Sequence, residues 1–172
     1  MKPSEFQIRE LSPEDSLESL TALLHSAYAA LGAMGLNYTA VDQPVEVTAR
    51  RVSRGRCFVA VLGAEIVGTI SVGPAYPGSS CAYYGQPHLA VANQLAVAPE
   101  HQRRGIGSAL MERAEAWARA EGFRELAGDT AESAAHLIEY YARRGYRQVA
   151  LTQWRGKRYR SVILAKELTP AR

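Results

Sequence analysis

Apolar and polar positions alternate with two periods along the chain, and each period predicts its own element type. Phe6 and Ile8 alternate with Gln7 and Arg9, which predicts a short half-buried strand. Leu17, Leu20, Leu24, Tyr28 and Leu31 follow at helical spacing, after Ser12-Pro13-Glu14-Asp15. In that opening Ser12 is the expected cap, Pro13 suits the first turn, and Asp15 can close a capping box. Gly32 and Gly35 are expected to end the helix. A second helix is predicted over 44–53, with Val45, Ala49 and Val52 inward. Cys57 to Leu62 and Ile66 to Val72 read as a hairpin about Gly63-Ala64-Glu65. Leu89 to Val97 is a third apolar stretch. Gly105 to Glu121 is a strong amphipathic helix, with Ile106, Leu110, Ala114 and Trp117 on one face and a Glu115–Arg119 pair. Leu126 to Asp129 is a short strand. Ser133 to Arg144 is a helix closed by Gly145 in a left-handed cap. Tyr146 to Gln153 and Tyr159 to Leu168 are two last strands around Gly156-Lys157.

The resulting order, β-α-α-β-β-β-α-β-α-β-β, predicts an α/β (α+β) layered fold. Helices flank a mixed, mostly antiparallel central sheet. At 172 residues the chain suits one domain, read as 1–172. Residues 73–87 are rich in Gly, Pro, Ser and Tyr and read as a long loop, a type that often carries function.

Composition narrows the function classes. A net charge of +3 fits an anionic small ligand and gives little reason to expect nucleic acid. No apolar run reaches the length of a membrane span, and residues 1–10 hold no apolar signal core. The two cysteines, Cys57 and Cys81, have no metal-ligand spacing, so no metal is expected and the cytoplasm is the expected setting.

The informative stretch runs from Leu95 to Gly107. A strand ends at Val97, a polar loop follows, and Gly105 and Gly107 sit at the mouth of the long helix. The first N–H groups of a helix lack internal partners, and the dipole adds partial positive charge there. With Arg103 and Arg104 beside them they form a candidate phosphate cradle. The same glycines would equally serve a tight turn. Other phosphate loops fit less well, since no Gly-Lys-Ser/Thr ending or third dinucleotide glycine is present.

Gln102-Arg103-Arg104-Gly105-Ile106-Gly107 resembles the Gln/Arg-x-x-Gly-x-Gly/Ala signature of the GNAT superfamily of N-acetyltransferases. Tyr141-Ala142-Arg143-Arg144-Gly145-Tyr146 resembles that family's Tyr-x-x-x-Gly-Phe/Tyr segment, in the right order after the first motif. The resemblance covers about residues 57–168 and implies acetyl transfer from acetyl-coenzyme A to a primary amine, with no metal. It implies that the pyrophosphate is held at Gln102, Arg103, Arg104, Gly105, Ile106, Gly107 and Ser108. The pantetheine would lie along Leu95, Ala96 and Val97, and Tyr141 would act as general acid. A homodimer is left open. The strand glutamate that some members use as base is replaced, its position falling at Val91, with Asn93 and Gln94 nearby. Candidate bases are then His88, Asp129 and Glu100. Asp42 and Glu46 are candidates for the acceptor side, as are Tyr83 and Tyr84. Tyr140, about 100° from Tyr141 on a helix, is expected to face elsewhere. Arg155, Lys157, Arg158 and Arg160 read as a solvated basic turn, with a nucleic-acid or protein contact as the less favoured alternative. An acetyl-coenzyme A sensor without transferase activity is the alternative function of the same fold.

Overall fold

The computed structural model describes residues 6–170. The reading of 1–172 as one domain therefore extends beyond the residues described. Seven strands form one sheet in the order β1-β2-β3-β4-β5-β7-β6. They are β1 (Gln7–Glu10), β2 (Arg56–Leu62), β3 (Glu65–Pro74), β4 (Leu89–Val97), β5 (Glu125–Ala131), β6 (Arg147–Thr152) and β7 (Ser161–Glu167). Every neighbouring pair is antiparallel except β4 with β5. The helices are α1 (Leu17–Ala33), α2 (Thr39–Asp42), α3 (Val45–Val52), α4 (Ile106–Ala120) and α5 (Ala135–Arg143).

The continuous apolar runs of β2 and β3 follow from burial on both faces. Successive side chains point to opposite sides of a strand. Phe58 accordingly packs with Leu110, Met111 and Ala114 of α4, while Cys57 and Val59 pack with Leu20 and Leu23 of α1. One carboxylate is buried beneath α4. Glu115 is 3% exposed and accepts hydrogen bonds from Tyr146 Oη at 3.0 Å and Lys166 Nζ at 3.1 Å. The expected Arg119 partner sits at 3.5 Å.

Several boundaries differ from the sequence reading, each for a local reason. Ser12 and Asp15 do form a reciprocal turn, with Ser12 N–H donating to Asp15 at 2.7 Å. The Arg9 guanidinium grips the same carboxylate at 2.7 Å, so the turn closes onto β1. The helix therefore starts four residues later, with Ser16 Oγ accepting from Ser19 N–H as its cap. It also runs through Gly32 and stops before Gly35, which holds φ +81°. In α3 the fully buried residue is Thr48, whereas Val45, Ala49 and Val52 are half-buried. Thr48 is polar, but its hydroxyl pairs with Thr21 and Gln43 at 2.7 Å, which removes the usual cost of burial. The short α2 was not anticipated. β5 extends to Ala131, so α5 begins at Ala135 and not at Ser133. Gly145 ends α5 at φ +89°.

Candidate functional site

β4 and β5 run side by side only where Leu89, Ala90 and Val91 pair with Glu125, Leu126 and Ala127. Both strands continue beyond that point and separate, which opens a cleft within the sheet. On its other edge β4 stays bonded to β3, but the register slips between Thr69 and Ser71. Gln94 absorbs the slip with φ +55°, a left-handed conformation that is uncommon for a non-glycine residue. Its buried amide fixes the bulge by donating to Ser71 Oγ at 3.2 Å and accepting from Gln43 Nε2 at 2.7 Å.

Beyond β4 the chain turns into α4. Gln102 Nε2 donates back to the Val97 carbonyl at 3.2 Å, which ties the turn to the strand end. Arg103 and Gly105 are both left-handed, at φ +63° and +83°. No side chain caps α4. The first N–H groups of the helix therefore face the cleft without a side-chain acceptor, the arrangement that suits an anion.

A cavity of about 1130 Å³ joins these two features. Of the residues expected to hold coenzyme A, it is lined by Leu95, Ala96, Val97, Gln102, Arg103, Gly105, Ile106, Gly107 and Ser108. Arg104 does not line it; this side chain is exposed and bonds His101 Nδ1 at 2.9 Å. The Leu95 carbonyl already accepts from Tyr28 Oη at 2.9 Å. A carbonyl has two lone pairs, so this bond orients the strand without closing it to a ligand.

Tyr141 lines the same cavity from α5. Burial, followed by the neighbouring Tyr28, Tyr140 and Asp129, raises its pKa well above the ordinary phenol value, so it keeps its proton at neutral pH. Tyr140 lines the cavity too, contrary to the expectation that only one of the pair would face it. The two rings meet edge-on with centroids 5.4 Å apart. The Tyr140 hydroxyl is buried without a hydrogen-bond partner among the described residues, and a Cβ at Gly107 would lie 3.4 Å from it.

The far half of the cavity is lined by tyrosines from distant parts of the chain. Tyr38 stacks on Tyr159 at 5.0 Å and tilts against Tyr28 at 5.6 Å. Of the three candidate bases, Asp129 lines the cavity; His88 and Glu100 do not. Tyr84 Oη donates to one Asp129 oxygen at 2.8 Å and Trp154 Nε1 to the other at 2.9 Å, so the carboxylate is held rigidly. His88 sits at the opposite end of β4, roughly 30 Å of strand from Val97, and meets Glu125 at 3.4 Å. Tyr83 also turns away, onto Glu125, and Asp42 and Glu46 lie outside the cavity.

Sequence reasoning missed the cations of this half. Arg51 and Arg54 line it, although the helical pattern over 44–53 singled out only Val45, Ala49 and Val52 as inward. Lys157, read as part of a solvated turn, reaches in and donates to the Asn37 carbonyl at 2.7 Å and to Thr39 Oγ1 at 2.9 Å. Its neighbour Arg160 does stay on the surface, paired with Glu132 at 2.8 Å.

The comparisons with known proteins agree with this fold. The family model for the acetyltransferase (GNAT) family matches residues 19–146. The chain is 26% identical over 164 residues to S-(2-succino)cysteine N-acetyltransferase of Bacillus subtilis (strain 168), covering 92% of this chain and 94% of that protein. Among solved structures, the ribosomal-protein-S18-alanine N-acetyltransferase of Escherichia coli superposes with a TM-score of 0.73 at 17% identity, over 97% of this chain and 96% of that one. A GNAT acetyltransferase of Elizabethkingia anophelis with acetyl-CoA bound superposes with a TM-score of 0.70 at 17% identity, over 96% and 99%. With the family model matching most of its length, this chain belongs to the GNAT family of acetyltransferases, enzymes that transfer an acetyl group to an amine.

Proposed function

We propose that the chain binds acetyl-CoA along the open edge of β4 and acetylates a small-molecule amine placed between Tyr141 and Asp129. The observation that carries this reading is the single cavity, which joins the uncapped mouth of α4, residues 95–97 and both of those side chains. The thioester supplies an already activated acyl group. The residues of the chain have three tasks.

The first task is to hold the cofactor. N–H groups from Gln102 to Ser108 receive the pyrophosphate, and Leu95 to Val97 align the pantetheine as a further strand would be aligned. Arg104 lies at the rim and contributes charge more than contact. The second task is to free the attacking amine of its proton. An alkylammonium of pKa about 10.4 is neutral in only about one molecule in a few thousand at pH 7, so a proton acceptor is needed. Asp129 is the carboxylate available in the cavity, and it retains lone pairs beyond the two that Tyr84 and Trp154 occupy. It receives the ammonium proton directly or through water. The third task is to protonate the departing thiolate, which falls to Tyr141, and the second proton that the nitrogen sheds on becoming an amide restores the phenol.

The test is release of free thiol from acetyl-CoA across a panel of small amines, with the product checked by mass spectrometry. S-(2-succino)cysteine belongs in that panel because a relative acts on it. Amine-dependent thiol release with formation of the N-acetyl product is expected. Asp129→Asn should lower kcat/KM most at neutral pH and least at high pH, where the amine arrives unprotonated. An equal loss at every pH would remove Asp129 as the proton acceptor.

A further inference from the structure

The acceptor half of the cavity carries an excess of positive charge that the fold itself does not neutralise. Arg51, Arg54 and Lys157 all line it, against the single carboxylate of Asp129. None of the ion pairs among the described residues involves any of these three cations. Burial first, and then the field of Arg51, lower the pKa of the Lys157 ammonium. Burial likewise lowers that of Arg51, which Asp129 only partly offsets. Like charges held together in a cavity favour an anionic ligand.

Arg51 is also built into place. Its guanidinium donates to Gln43 Oε1 at 2.9 Å. Gln43, 2% exposed, donates to Gln94 Oε1 and Thr48 Oγ1 at 2.7 Å, and Gln94 in turn donates to Ser71. The chain of amides thus runs from the bulge of β4 to Arg51. One guanidinium nitrogen is spent on it, and Arg51 also lines the cavity. Arg54 is fixed differently, with its guanidinium 3.9 Å from the centroid of Tyr76. The Tyr76 hydroxyl accepts from Asn93 Nδ2 at 3.1 Å, while Asn93 Oδ1 is buried and has no partner. A fixed cationic wall thus stands beside an open acceptor on the strand where the acyl group is placed.

We infer that the acceptor is a small amine bearing carboxylate, with the carboxylate held by Arg51 and Arg54 and the ammonium directed toward Asn93 Oδ1 and Asp129. This rests on the acetyl-transfer reading and names its substrate class. Planar forked donors match carboxylates bidentately, which sets such a site apart from a general attraction for anions. Lys157, which lines the same cavity, adds charge.

The test compares L-glutamate, L-norvaline and n-butylamine, which carry two, one and no carboxylates on similar carbon chains. Wild-type kcat/KM should fall by about tenfold or more for each carboxylate removed, the scale of one charge-assisted hydrogen bond. Arg51→Gln should raise KM for the carboxylated amines by at least about tenfold and leave n-butylamine within about twofold. Arg51→Lys should restore part of the loss. Unchanged coenzyme A affinity shows that each variant is folded. If n-butylamine is acetylated as well as the others, transfer stands and the carboxylate assignment falls. If no amine is acetylated, the transfer reading falls, and calorimetry decides the anion site. Binding of the carboxylated amines to coenzyme A-saturated wild type, lost in Arg51→Gln, would uphold that site; no binding to wild type would overturn it.

Discussion

Tyr141 and Tyr140 are adjacent in sequence and share one cavity, yet they meet different parts of it. Tyr140 leans toward Gly107 at the mouth of α4. Tyr141 lies within the electrostatic reach of Tyr28, Tyr38 and Asp129, on the acceptor side. Tyr141→Phe should therefore lower kcat by about 10²-fold, the low end of general-acid effects, because a thiolate is a fair leaving group. Coenzyme A affinity should be nearly unchanged. Tyr140→Phe should do the reverse, leaving kcat alone and altering affinity, since its unpaired hydroxyl faces the cradle. Single-turnover kinetics beside calorimetry would separate the two, and equal kcat values for wild type and Tyr141→Phe would make Tyr141 a packing residue. At this scale the two motifs were legible because their spacing is local. Arg51, Arg54 and Lys157 were not, because nothing in a solvated-looking helix face or turn reveals that a distant strand opens beside it. Asp129 was one of three candidate bases in the sequence, and only the fold shows that it lines the cavity while β4 carries His88 to the far end.

At the scale of elements, the decisive features are two places where regular structure stops. One is the bulge at Gln94 and the other is the uncapped start of α4. Gly107→Val tests the second. A Cβ there would stand 3.4 Å from Tyr140 Oη and 3.7 Å from Val97 Cγ2, a fit without a clash in the empty protein. The branched side chain would nevertheless occupy the path of an approaching phosphate. Coenzyme A affinity is expected to fall by about tenfold or more, while thermal stability changes by about 1 kcal/mol or less. Gly122→Ala is the matched control: it lies outside the cavity at the other end of α4, where φ +85° makes any side chain strained but nothing obstructs it. If both variants bound coenzyme A equally, the mouth of α4 would not be the phosphate site. The strands and the long helices were legible in the sequence, because both faces of β2 and β3 are buried and α4 has one clear apolar face. The start of α1 was misread for a physical reason. Ser12 and Asp15 satisfy a capping pattern, but Arg9 recruits the turn to β1. The bulge at Gln94 had no local signal, since glutamine is not a residue that invites a left-handed backbone.

Across the whole molecule, the two halves of the sheet are joined by few strand pairs and by what lies beneath them. Three residue pairs connect β4 to β5. Glu115 supplements them, linking α4, which packs on the β2–β4 side, to Tyr146 and to Lys166 of β7. Lys166→Met should destabilise the fold by roughly 2–3 kcal/mol. This is below the usual cost of stripping a buried carboxylate of its partner, because Tyr146 and Arg119 remain and Lys166 is partly exposed. Chemical denaturation would measure it, and the double variant Glu115→Leu with Lys166→Met should recover much of the loss. If the single variant matched wild type, the halves would be held by the strand pairs alone.

The parting of β4 from β5 also bears on how the protein avoids its own kind. An unpaired strand edge normally invites a second chain to add itself, which is the usual route to aggregation. Here the bare edge lies inside the sheet, with β5 on one side, α1 packed against one face of β4 and α5 joined to the α4 core on the other. An incoming polypeptide strand would have to bring side chains on both of its faces into that gap. The pantetheine arm, whose only branches are the two methyls and the hydroxyl of its pantoyl unit, brings far fewer. Recessing the edge therefore favours slender molecules over a second polypeptide strand.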